Sequence, residues 1–421
     1  MESINVNRQQ NVKPRGLFKN VNFLLLFSGR LVSQLGDSVY LFAIVWYILV
    51  RTGSAAQTGI LMTLGMLPLV ILGPFAGVVV DRVNRKNILV SMDLVRGVIF
   101  AIMGVMISMN NLPMWVIYTG TVLMGICASF FTPACTSAIP NIVDEDDLTQ
   151  ANSLDSIAVN SSQIIGVMLG ALLYSWVGIV GIFFINAASF VISGITEAFI
   201  KLEEKQKVEG NFLTQLKEGF NYLLLNKGLL TVFISFVAIN FLLAPILEVY
   251  LPYIFNKILK ATASQLSYVR VSLGVGMVIG AIISSALPKV EKNYKRLVRS
   301  IFLFSVSFFC FAVPIFPGLR TSLSLWIIVI TLIVVGVATG VFYGMLSIAL
   351  SVIFQKEVED SFRGRVTALM MTFGIAATPL GYLIGGFITE KIPIHIILLL
   401  TAGLFMVVAL VMSMSKSLKT L

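Results

Sequence analysis

Apolar residues come in long unbroken blocks from residue 21 to residue 414, separated by short polar intervals. Each block suffices to cross a hydrocarbon core about 30 Å thick, which takes roughly 20 helical residues. The pattern predicts about twelve helices of that kind. They read as 21–49, 56–80, 87–109, 113–136, 153–176 and 178–200 in the first half. The second half gives 229–254, 266–287, 297–316, 322–352, 364–389 and 392–414. The blocks are apolar on every face and do not alternate, so they predict helices and not a closed β-barrel. The expected fold is an all-α polytopic membrane protein.

The longest polar interval, about 201–227, separates six spans from six and carries Phe212, Leu216, Phe220, Leu223 and Leu224 at helical spacing. That spacing predicts an amphipathic helix on the membrane surface. The domains are then an N-terminal six-helix bundle (1–200), a linker (201–227) and a C-terminal six-helix bundle (228–421). Val143-Asp144-Glu145 and Val358-Glu359-Asp360 occupy similar places in the two halves, which agrees with parallel six-helix pseudo-repeats. Glycines at 73/77, 166/170, 276/280, 336/340/344 and 381/385 are spaced for close helix packing.

Composition removes the alternatives to a membrane. Only 12% of the residues are charged and mean hydropathy is +0.94, too little polar surface for a water-soluble globule of this length. The net charge of +10 could suggest nucleic acid, but its distribution does not. With the N-terminus placed in the cytoplasm, 22 of the 30 basic residues fall on the cytoplasmic side and 6 on the other. The positive-inside rule therefore puts both termini in the cytoplasm. The start of the chain, polar and basic with no small-residue cleavage site, reads as a retained signal-anchor. Cys127, Cys135 and Cys310 have no metal-ligand spacing and read as packing residues.

Within the spans, Asp37 lies about two residues past the middle of the first, hence within roughly 3 Å of the bilayer centre at 1.5 Å per residue. Carboxylates at that depth face a bundle interior or an aqueous cavity and mark ion or proton paths. Arg30, Ser33, Gln34 and Asp37 form one helical stripe expected to face a cavity, although Arg30 could equally snorkel to the cytoplasmic surface. Glu248 lies between Pro245 and Pro252 nearer the outer face. It is a second proton-coupling candidate, or an external gate paired with Lys257 or Arg270.

Asp93 and Arg96, three residues apart, read as a structural ion pair. Asn160 and Gln163 of the fifth span and Thr339 and Tyr343 of the tenth are further cavity candidates, with interhelical hydrogen bonding the alternative role. His395, the only histidine, has no second polar partner in the sequence. No Walker sequence, zinc-binding His/Glu pair or Ser/His/Asp set is present. ATP hydrolysis and intramembrane proteolysis therefore lack their residues, and neither a cofactor nor a metal is expected.

Between the second and third spans, Gly77-Val78-Val79-Val80-Asp81-Arg82-Val83-Asn84-Arg85-Lys86 resembles the G-x-x-x-D-R-x-G-R-R/K signature of the major facilitator superfamily. Asn84 stands in place of the second glycine. The resemblance implies two bundles alternating about a central substrate site, and it implies a conformational latch at Gly77, Asp81, Arg82, Arg85 and Lys86. Ser33-Gln34-Leu35-Gly36-Asp37, Phe130-Phe131-Thr132-Pro133-Ala134 and Phe362-Arg363-Gly364-Arg365-Val366 are similar to the branch holding macrolide-efflux and enterobactin-exporter proteins.

Two departures stand out. Gly166-Val167-Met168-Leu169-Gly170-Ala171 lacks the proline of the family's antiporter motif, and Ser284 occupies the place of a second latch aspartate. The function expected is secondary active transport, as proton-coupled efflux of a hydrophobic or amphipathic small molecule, by a protein acting as a monomer in the lipid bilayer of the cell membrane. Uptake, movement of lysophospholipid-like amphiphiles, or a non-transporting scaffold are the alternatives. No enzymatic activity is expected.

Overall fold

In hydrocarbon every backbone N–H and C=O needs a partner within the chain, so the apolar blocks fold as helices. The computed structural model describes residues 16–80, 82–110, 112–202, 212–286 and 293–419. Its helices are α1 (Val21–Thr52), α2 (Ala55–Val80), α3 (Arg85–Ser108), α4 (Met114–Ile142), α5 (Leu148–Ala198) and α6 (Phe212–Leu225). After these come α7 (Lys227–Pro245), α8 (Ala263–Ala286), α9 (Asn293–Ala312), α10 (Leu325–Glu357), α11 (Asp360–Lys391) and α12 (Ile394–Met414). Side-chain oxygens cap several starts: Asn20 accepts from the Phe23 N–H at 3.2 Å, Asn226 from Leu229 at 3.3 Å and Ser324 from Ile327 at 3.4 Å.

Eleven helical stretches among the described residues are long and apolar enough to cross a membrane, and one of them, α5, crosses twice. Gly178 interrupts it with φ 64° and ψ −174°. Gly166 and Gly170 of the first limb pack on Ser38 and Phe42 of α1, running with it, whereas Asn186 and Ser193 of the second limb pack on Gly36 and Gly29, running against it. The chain therefore reverses between the limbs, and twelve spans result. Glycine is suited to that corner because its missing Cβ permits a left-handed φ.

Several helices extend beyond the predicted spans. Residues 137–142 continue α4, residues 148–152 open α5 and residues 360–363 open α11, since helical hydrogen bonding needs no hydrophobicity once it leaves the bilayer. Beyond Pro245 the seventh span continues through π-helical turns at Ile246–Tyr250 and Ile254–Ile258. Extra backbone residues at such turns are a common accommodation next to proline and at functional positions.

Within the first six spans, α1 packs on both limbs of α5, α3 on α4 and α5, and α2 on α4. Within the last six, α8 and α9 pack on α10, α7 on α11, and α9 on α12. Gly276 and Gly280 of α8 meet the backbone of Val337 and Val341 on α10, where any Cβ would collide. Gly73 and Gly77 do not fit the expectation of close packing, because a Cβ at either would meet nothing within 4 Å. Helix α6 is fastened to the start of α11 by the stacked rings of Tyr222 and Phe362, 4.5 Å apart, and by Glu218 with Arg365 at 3.1 Å.

Candidate functional site

The two groups of six spans meet on the side away from the termini and part on the side that carries them. At the closed side, the Thr63 hydroxyl of α2 donates to the Pro379 carbonyl of α11 at 2.9 Å. Glu390, at the end of α11, accepts from the Ser54 hydroxyl and from the Ala56 N–H at 3.2 Å, and so caps the start of α2. The Arg270 guanidinium of α8 faces the Phe42 ring of α1 at 5.8 Å. Down α2 toward the basic side, exposure then climbs through Leu67, Ile71 and Phe75 at 40%, 54% and 66%. The same separation leaves Gly73 and Gly77 without neighbours.

On the open side lies a cavity of about 330 Å³ bounded by α7, α10 and α11. Its wall includes Phe236, Asn240, Tyr343, Gln355, Arg363 and Met370. Aromatic and thioether groups there offer adaptable apolar contact, while two amides and a guanidinium supply orientation. Tyr343 lines this cavity. Thr339 does not: it is buried, its hydroxyl donates to Val335 O at 2.8 Å, and it borders a separate small apolar pocket with Phe304 and Phe308. Asn160 and Gln163 are exposed on α5. Ile164, on the same limb, touches Gly274 of α8.

The polar stripe of α1 divides. Arg30 is buried and its Nε lies 2.6 Å from Asp155 Oδ1 of α5, so it neither reaches the membrane surface nor pairs with Asp37. Ser33 is buried and donates to Asp93 Oδ2 at 3.1 Å. Gln34 is half-buried, and the Asp37 side chain is 37% exposed. The cause is the second limb of α5, which lies along the Gly29 and Gly36 face of α1 and covers part of the stripe.

Arg96 of α3 joins these groups. Its guanidinium lies 3.5 Å from Asp93 and 4.0 Å from Asp37, sandwiched near the rings of Phe131 and Phe190 at 4.8 and 5.3 Å. The expected Asp93–Arg96 pair is thus one arm of a three-residue network that reaches the candidate coupling residue.

Glu248 pairs with Arg270, both largely buried at the closed side, and Lys257 is directed to Gly53 instead. In the α2–α3 turn, Arg82 is exposed and Arg85 and Lys86 are half-buried, whereas Asp81 lies outside the described residues. Asn84 accepts from the Asn87 N–H at 3.3 Å and caps α3, a role that glycine in the family pattern would fill only weakly.

Two features of the cluster escape a reading of the sequence. One is the partnership of Arg30 with Asp155, which are 125 positions apart. The other is Glu197, completely buried with neither carboxylate oxygen hydrogen-bonded. It stands three residues before the end of the expected sixth span, where an acid is ordinarily interfacial. The signal available was its spacing from Ser193, one helical turn earlier on the face that meets α1.

The family model described as Major Facilitator Superfamily matches residues 26–334. Macrolide efflux protein A of Streptococcus pyogenes is 26% identical over 405 residues, covering 95% of this chain and 97% of that protein. The multidrug efflux pump Tap of Mycolicibacterium fortuitum is 24% identical over 383 residues, covering 88% and 90%. Among solved structures, the nucleoside transporter NupG superposes with a TM-score of 0.74 at 16% identity, covering 94% of this chain and all of that one.

Proposed function

The chain belongs to the Major Facilitator Superfamily, and from that premise we propose that it is a proton-coupled exporter of hydrophobic or amphipathic small molecules. It is a multi-pass membrane transporter and not an enzyme. The efflux reading is supported by the names of the macrolide and multidrug relatives and by a cavity whose lining is mainly aromatic, aliphatic and thioether. The bias of basic residues in the loops supports an orientation with that open side and both termini toward the cytoplasm. The bundles 1–200 and 228–421 rock about the substrate, and closure on the basic side brings the α2–α3 latch residues into use.

The observation that carries the coupling step is Asp37, mid-span, part-exposed and 4.0 Å from Arg96. A carboxylate there can exchange its guanidinium partner for a proton. With Asp37 ionised, Arg96 is divided between two acids; protonation of Asp37 frees it for Asp93. Binding a proton on one side of the membrane and releasing it on the other then ties proton flow to the rocking motion.

The test uses proteoliposomes carrying a proton gradient and a labelled macrolide. Wild-type protein should accumulate the label uphill, and Asp37→Asn should retain binding but only equilibrate it. Full uphill accumulation by Asp37→Asn would refute the assignment.

A further inference from the structure

The polar cluster of the first six spans contains more acid than base. Arg30 and Arg96 face Asp37, Asp93, Asp155 and Glu197, so full ionisation would leave two uncompensated negative charges inside the protein. Asp155 has Arg30 at 2.6 Å, and Asp93 has both Arg96 at 3.5 Å and the Ser33 hydroxyl at 3.1 Å. Asp37 has Arg96 at 4.0 Å and a part-exposed side chain. Among the described residues Glu197 has no hydrogen bond or ion pair, and it is fully buried.

The charged and titratable groups that act on Glu197 come from four helices. They are Arg30 of α1, Asp93 and Arg96 of α3, the Cys135 thiol of α4 and, beyond Arg30, Asp155 of α5. An ion held without partners in such a place is far less stable than the neutral acid. Neutral Glu197 removes one of the two surplus charges, and exchange of Asp37 with water-borne protons handles the other.

We propose that Glu197 is a buried proton-binding site, loaded in this conformation and discharged when Arg96 turns from Asp37 toward Asp93 and Glu197. The discharge breaks the O–H bond of the Glu197 carboxyl and forms one on the part-exposed Asp37 carboxylate that Arg96 has released, leaving a Glu197 carboxylate that the guanidinium compensates. For its part in transport the proposal rests on the proton-coupled reading above. The loaded state itself needs no substrate.

Infrared spectra of the purified protein in lipid nanodiscs at neutral pH provide the test. Wild-type protein should show the carbonyl stretch of a protonated carboxyl, and Glu197→Gln should lose one such band. Growth on glutamate labelled with carbon-13 should shift the same band in unmutated protein, which separates it from any aspartic acid and does not depend on the variant folding. Spectra of wild type and Glu197→Gln that superimpose in this region, or a band unmoved by the label, would overturn the proposal. A surviving band with Asp37→Asn still transporting uphill would instead sink the coupling assignment and leave this site standing.

Discussion

Arg30 shows how far a single side chain's role depends on its neighbours. On α1 alone it is a costly cation. Against Asp155 at 2.6 Å, with the two side chains 7% and 16% exposed, it is half of a buried pair whose separate members are each more harmful than their joint absence. Arg30→Met should therefore destabilise the protein by about 3–5 kcal/mol, while Arg30→Met combined with Asp155→Leu should recover most of the loss. Thermal unfolding of the wild type, the two single variants and the double variant in one detergent gives the coupling directly. Equal, additive losses would mean that the pair contributes nothing. Arg96 differs, because its guanidinium serves Asp93 and Asp37 together between two aromatic rings. That divided allegiance makes it able to respond when either acid changes charge.

Among the helices, the glycines separate into those that hold the present packing and those that wait for another. At Gly276 the α10 backbone leaves no room for a methyl group, whereas at Gly77 a Cβ would have open space. Gly276→Val should lower stability by about 1–3 kcal/mol, the usual cost of forcing extra carbon into a packed contact, and reduce the yield of folded protein. Gly77→Ala should leave the melting temperature nearly unchanged and yet slow transport, because α2 must approach α11 along this face when the basic side closes. Melting curves set beside initial uptake rates check both predictions. Normal turnover in Gly77→Ala would remove the glycine from the closing motion. The π-helical turns around Glu248 belong to the same scale: they place its carboxylate against Arg270 on α8 and near the contact that Arg270 makes with Phe42.

Over the whole molecule, closure is concentrated at one end, and Glu390 is its most exposed contributor. A carboxylate from the last six spans caps a helix of the first six, where its charge complements the amide dipoles at that terminus. Replacing it by glutamine should weaken the closed side by about 1–2 kcal/mol, a factor of about 5–30 in the balance between the two conformations. A cysteine at Thr63, which lies just below the cap and bonds to Pro379, reports the change. Its labelling by a membrane-impermeant maleimide from outside should rise several-fold in Glu390→Gln. Unchanged labelling would show that the apolar contacts of α2 and α11 hold this side shut without the cap.

The order of apolar and polar residues determined the number of spans, their approximate limits and the α2–α3 motif, since a bilayer allows a long apolar segment hardly any fold except a helix. It also exposed Asp37 and the Asp93–Arg96 pair, because charge within an apolar block stands out without any knowledge of neighbours. Only the tertiary structure decided which charges meet. Arg30 finds Asp155, Glu248 chooses Arg270 over Lys257, and Glu197 finds no partner. These outcomes follow from the crossing of helices remote in sequence, and helical periodicity fixes the face of a residue but not what is packed against it.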